Sequence, residues 1–194
     1  MRRFARTTAV ASTAAVAAGL LAGCAAGEEK AAPQLPERVC WGGGAFAGSD
    51  VAPLLPPGDT VEFSPDSGDP FALTKELDSA TCTLYIDGNT KFQAVATRRN
   101  FAESIDWSSW DSAHPKPLDV GEKGIIWDTG AAASFTCEPA KDANTPGKYI
   151  ELRITANDTP DPAALQAALP QLMKEFQDFA QGRLQCPGRV AGGA

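Results

Sequence analysis

"TCTLYIDGNTKFQAVATRR", residues 81–99, alternates apolar and polar side chains on both sides of a tight turn. Cys82, Leu84 and Ile86 share one face of its first half, and Phe92, Ala94 and Ala96 share one face of its second. The "DGN" between them holds residues that turn a chain cheaply, so the stretch predicts a β-hairpin with one buried face.

The same period of two recurs on both sides. "TVEFS" (60–64) reads as a short strand. "GIIWD" (124–128) and "AAASFTCE" (131–138), joined through "DTG", read as a second hairpin with Ala133, Phe135 and Cys137 aligned. In "KYIELRITA" (148–156), Ile150, Leu152 and Ile154 point one way and Tyr149, Glu151 and Arg153 the other. All fifteen prolines fall outside these segments, as sheet hydrogen bonding requires.

Residues 161–185 change to helical spacing: Leu165, Leu169, Leu172, Phe176 and Phe179 follow steps of four and three. Asp161 is the expected N-cap, with Pro162 at the first helical position. Pro170 interrupts the pattern, and because the apolar face continues across it, a kink is expected there. Cys186, seven beyond Phe179, can also look toward the sheet. Near the other end, Ser49 or Asp50 could cap a short helix over 50–55 that Pro56-Pro57 would stop. The expected fold is therefore α+β. A mostly antiparallel sheet of five or six strands carries a short N-terminal helix and a long C-terminal helix with a kink.

The first residues differ in kind. "MRRFAR" is positive, and "TTAVASTAAVAAGLLAG" is uncharged and rich in alanine, the layout of a secretory signal. Leu21-Ala22-Gly23-Cys24 resembles the lipobox of bacterial lipoproteins, which runs Leu, Ala or Ser, Gly or Ala, then Cys. The resemblance implies cleavage between Gly23 and Cys24 and a diacylglycerol on the Cys24 sulfur. An uncleaved membrane helix fits less well, because the run holds few Leu or Ile and lacks a charged stop. The general export route is favoured over the twin-arginine one, since "FAR" has no apolar continuation. The expected organisation is a signal peptide over 1–23, a lipidated tether over 24–38, one domain over 39–187 and a disordered tail over 188–194. At about 5–6 Å × √n the tether would reach roughly 20 Å. The expected location is the extracytoplasmic face of the cell membrane, with the lipid as the only membrane contact.

Four further cysteines remain: Cys40, Cys82, Cys137 and Cys186. An even number in an exported domain reads as two disulfides, and three pairings can be drawn. The favoured one, Cys40–Cys82 with Cys137–Cys186, ties the early segment and the last helix each to a strand. This layout resembles the four-cysteine lipoprotein domains of actinobacteria, as does the opening "RVCWGGGAFAGSDVAPLLPPG" (38–58). Many of those domains belong to families of unknown function and they carry no assigned catalytic residues, so the resemblance transfers none. It implies a mixed α+β sandwich, loosely similar to photosystem PsbP-like domains.

Charge narrows the function. The chain has 17 basic and 24 acidic residues, and loss of Arg2, Arg3 and Arg6 with the signal would leave 14 against 24. That balance repels phosphate backbones and argues against nucleic acid as a partner. The glycines at 42–44 lack the Lys-Ser/Thr of a phosphate loop and read as a turn. His114, the one histidine, sits in proline-rich "SAHPKPLD" with no G-x-S-x-G elbow to serve it. No Cys or His spacing suits zinc, and "DSGD" (66–69) and "NDTPD" (157–161) read as a turn and a helix cap instead of calcium sites. No metal or cofactor is expected. Trp107 and Trp110 could share a helical turn, as a rim of the core or as a platform for a ligand. The leading reading is a non-catalytic binding or accessory module of the cell envelope, with a protein or small molecule as partner. A carboxylate-dependent hydrolase and a structural factor at the cell wall are the alternatives.

Overall fold

The computed structural model describes residues 33–42 and 44–187. The expected signal, Gly23, Cys24, most of the tether and the tail over 188–194 lie outside the described residues. Among the described residues nine strands and two α-helices follow in chain order. A small ribbon pairs β1 (Arg38–Val39) with β2 (Phe46–Ala47). Then come α1 (Gly48–Val51), β3 (Val61–Phe63), β4 (Ser79–Ile86) and β5 (Asn89–Arg99). Beyond a long connection lie β6 (Lys116–Pro117), β7 (Lys123–Trp127), β8 (Gly130–Glu138), β9 (Lys148–Ala156) and α2 (Pro162–Leu184). The main sheet is antiparallel throughout, in the order β3-β4-β5-β9-β8-β7-β6.

Both hairpins form where the alternation places them, and β9 enters between them as the central strand. The sheet has one strand more than the upper expectation. That strand, β6, is two residues long, too short to show a period, and lies at the edge. An edge strand needs only one hydrogen-bonded side, which is why Pro117 is tolerated there.

Register sets the inner face. Ala80, Ala96, Leu152 and Ala133 form one row, and Cys82, Ala94, Ile154, Ala131 and Ile126 the next. The small alanines let covering elements approach closely, and all of those in the two rows except Ala80 are fully buried. Helix α2 lies over β8 and β9 with Leu165, Leu169, Leu172, Met173, Phe176 and Ala180 buried. Each large apolar side chain so buried contributes about 1.5–3 kcal/mol, which holds the helix far more firmly than propensity does. Asp161 caps it as expected: its Oδ1 accepts from the Ala163 and Ala164 N–H groups at 2.9 and 3.0 Å. The helix is continuous through Pro170. It ends on Gln185 in the left-handed conformation (φ 53°), which lets the Cys186 N–H bond back to the Gln181 carbonyl.

The N-terminal segment covers the other half of the inner face, and here two expectations change. Residues 33–38, assigned to the tether, lie on the domain: Pro33 is buried and Leu35 packs against the core. The short helix starts at Gly48 with no side-chain cap, so neither Ser49 nor Asp50 sets its start. The cause is close approach. The Gly48 N–H donates to the Glu37 carbonyl at 2.8 Å, and a Cβ at Gly48 would collide with the Pro36 carbonyl oxygen. A single 3-10 turn then carries the chain through Ala52–Leu54.

The glycine-rich turn before it has an unforeseen role. Cys40 and Trp41 both take positive φ, 70° and 49°, conformations that L-residues adopt at a cost. They turn the Trp41 indole into the core, where it stacks on Phe176 at 5.2 Å and on Phe179 at 5.9 Å and meets the edge of Phe71 at 5.1 Å.

Candidate ligand cleft

The outer face of the sheet is built from the alternate residues of the same strands. One row across it runs Ser79, Thr97, Glu151, Ser134 and Lys123, and the next runs Thr81, Val95, Arg153, Ala132 and Ile125. Over the β7–β8 half lie Trp107 and Trp110, carried by the 3-10 segment Ser108–Ala113 and the residue before it. Trp110 stacks between Trp107 (6.0 Å) and Trp127 (5.0 Å) at interplanar angles below 30°. Trp127 can lie flat because its cross-strand neighbour is Gly130, where a Cβ would press on the indole at 2.7 Å. Asp106 fixes the start of this segment by accepting from the Ser108 N–H at 2.9 Å. That backbone bond, then one to the Ser108 side chain, holds the Asp106 carboxyl below its usual range.

The β4–β5–β9 half is left open. It forms a cleft of about 400 Å³ lined by Ser79, Thr81, Gln93, Val95, Thr97, Arg99, Glu151 and Arg153. This volume is within the range of small-molecule sites. The Glu151 side chain is only 13% exposed, and its partners account for both oxygens. Oε2 accepts from Arg99 Nε and Nη2 at 3.2 and 3.1 Å, and Oε1 accepts from the buried Trp107 Nε1–H at 3.2 Å. Arg153 differs. Its guanidinium sits 5.8 Å from the Trp110 ring centre, and its covered Nε–H has no hydrogen-bond partner. Among the described residues it makes no ion pair.

Chemically, the lining is one of donors and acceptors without a nucleophile–base pair. Its single carboxylate is already held by an arginine and a tryptophan, and it contains no His, Cys or Lys. It suits recognition of a polar molecule.

The disulfides Cys40–Cys82 and Cys137–Cys186 are both formed, with Cα–Cα separations of 5.5 and 4.7 Å. Each anchors to the inner face, Cys82 on β4 and Cys137 on β8, so the bonds brace the sheet behind the cleft and do not enter it. The two tryptophans singled out by spacing do come together, Trp107 buried and Trp110 half-buried, with Trp127 as an unforeseen third member. His114 is exposed at the end of their turn, away from the cleft lining. "DSGD" lies in a 3-10 turn and "NDTPD" caps α2, with Asp158 paired to Lys91. Among the described residues no group of three or more His, Cys, Asp or Glu could hold a metal ion. Sequence reasoning placed Glu151 and Arg153 outward but gave them no role. The available signal was two charges, two apart, in the strand with the most complete apolar alternation.

No family model, no curated protein and no solved structure matches the chain.

Proposed function

We propose that the chain is an extracytoplasmic lipoprotein, anchored to the cell membrane by a lipid on Cys24, whose folded part is a non-catalytic binding module. The lipobox-like Leu21-Ala22-Gly23-Cys24 supports the anchor. Two disulfides support an oxidising compartment. Among the described residues no helix is long and apolar enough to cross a membrane, which is compatible with attachment through the lipid. The observation that carries the binding reading is the outer-face cleft. It is polar, its Arg153 sits near the Trp110 ring, and its one carboxylate is fully engaged, so it offers recognition groups without an acid–base pair.

Two measurements test the proposal. Mass spectrometry of the native N-terminus should find Cys24 as the first residue with diacylglycerol on sulfur, and Cys24→Ser should leave the precursor uncleaved. Screening the mature protein against extracellular metabolites by thermal shift, together with pull-down from membranes, should return a small-molecule or protein partner whose binding perturbs the outer-face tryptophans. Silence in both screens would remove the binding reading.

A further inference from the structure

We infer that the outer-face cleft takes a small monoanionic carboxylate, held by Arg153 beside the Trp110 ring. This rests on the cleft being the binding site proposed above and adds the chemistry of its ligand. Three observations carry it.

The first is Arg153 itself. A covered guanidinium Nε–H without an acceptor is costly, since the group has given up water and received nothing in return. Contact with the Trp110 face at 5.8 Å compensates part of the charge but satisfies no donor. An acceptor that draws the guanidinium from the indole into the cleft would meet that donor, and the planar fork of arginine matches a carboxylate.

The second is charge. Arg99 and Arg153 face Glu151 in the lining, a local excess of one positive charge in a chain whose formal net charge is −7. Glu151 already neutralises Arg99 through two hydrogen bonds, so one cation remains for the ligand. One excess charge fits a monoanion, whereas a phosphate dianion would stand close to Glu151 without a further unpaired cation in the lining to offset it.

The third is the rest of the lining. The Ser79, Thr81 and Thr97 hydroxyls and the Gln93 amide can serve an amide or hydroxyl carried by the same small molecule.

The experiment uses matched probes on the mature, disulfide-bonded protein: N-acetylglycine, its neutral counterpart N-acetylglycinamide, and methyl phosphate, mostly dianionic at about pH 8. Binding is read by tryptophan fluorescence and by the NMR resonance of the Arg153 Nε–H. N-acetylglycine should move both signals and bind about tenfold or more tightly than the amide. Arg153→Gln should erase that preference. Arg153→Lys, which keeps the charge but not the fork, should retain part of it, so a poorly folded Gln variant does not decide the matter. Equal affinity for acid and amide with the Arg153 resonance unmoved would overturn the inference while leaving the cleft as a binding site. Tighter binding of methyl phosphate would overturn the monoanion assignment. No response to any probe up to about 50 mM would overturn the inference, and joined to silence in the metabolite and membrane screens it would remove the cleft as a site altogether.

Discussion

Replacing Cys137 and Cys186 together with alanine tests how the long helix is held. The bond closes a loop spanning β9 and α2, with a sequence separation of 49. For a loop of that size the chain-entropy account assigns about 4 kcal/mol, nearly all of it through restriction of the unfolded chain. The helix also has packing of its own, with Leu165, Leu169, Leu172, Met173 and Phe176 buried. The variant should therefore keep its native far-UV circular dichroism and lose about 3–4 kcal/mol in urea unfolding, with a larger m-value as the unfolded chain expands. The Cys40–Cys82 pair has a separation of 42 and by loop size alone should cost almost the same. Cys40 and Trp41 sit in positive-φ conformations that can relax once the bond is gone, so its removal should cost no more than loop size predicts. The two loops do not overlap, and the losses should add. A loss below about 1 kcal/mol for the Cys137–Cys186 variant, or loss of its native helix signal, would refute the view that packing holds the helix while the bond acts on the unfolded chain.

Three further outcomes follow from single contacts. Gln185→Gly relieves a left-handed residue at the end of α2 and should raise stability by about 0.5–1 kcal/mol; a lower Tm would mean that the Gln185 side chain matters more than its backbone. Glu151→Ala leaves the buried Trp107 N–H unpaired and should cost about 1–3 kcal/mol, but clearly less in a Trp107→Phe background, as a double-mutant cycle would show. Asp106 has a folded pKa below its ordinary 3.8, so its capping contribution is complete above that value and is lost as pH falls through the lower folded one. Tryptophan fluorescence from the Trp107–Trp110 segment should change with a midpoint below pH 3.8, and a midpoint at or above it, or an identical profile in Asp106→Asn, would contradict this role.

Strand content was legible because alternation is a local property. The residues from Cys82 to Ile86 and from Phe92 to Ala96 occupy the face their period assigns, as do Ile150, Leu152 and Ile154. Asp161 with Pro162 marked the helix start because capping needs only the next three residues. The features that escaped depend on distant segments. Nothing in "CWGGG" shows that Trp41 turns inward, since its partners Phe71, Phe176 and Phe179 lie 30 or more residues away. The start of α1 is decided by the backbone of residues 36 and 37 pressing on Gly48, which no capping preference reports. The cleft belongs to this second class. Arg99 and Glu151 meet only because β9 inserts beside β5, and Arg153 acquires its aromatic neighbour only because residues 107–110 fold back over β7 and β8.

An antiparallel sheet can show one face to water with nothing bound to it, and a polar outer face is ordinarily explained that way. Such a face carries long charged side chains that reach into solvent and pair loosely, as Lys174 and Asp178 do on the exposed side of α2, with 64% and 54% of their side chains exposed. The cleft does the opposite. Glu151 is held down to 13% exposure by three donors, and Arg153 keeps a covered donor unmet against an indole. Solvation alone would favour swinging that guanidinium into water, where every N–H finds a partner. The inner face meanwhile carries the helix, the aromatic cluster and both disulfides, so most of the stabilising burial lies away from these polar residues. Partly buried charge on a braced surface is costly as scaffolding, and the proposed ligand would offset that cost by supplying the acceptor that the Arg153 Nε–H lacks.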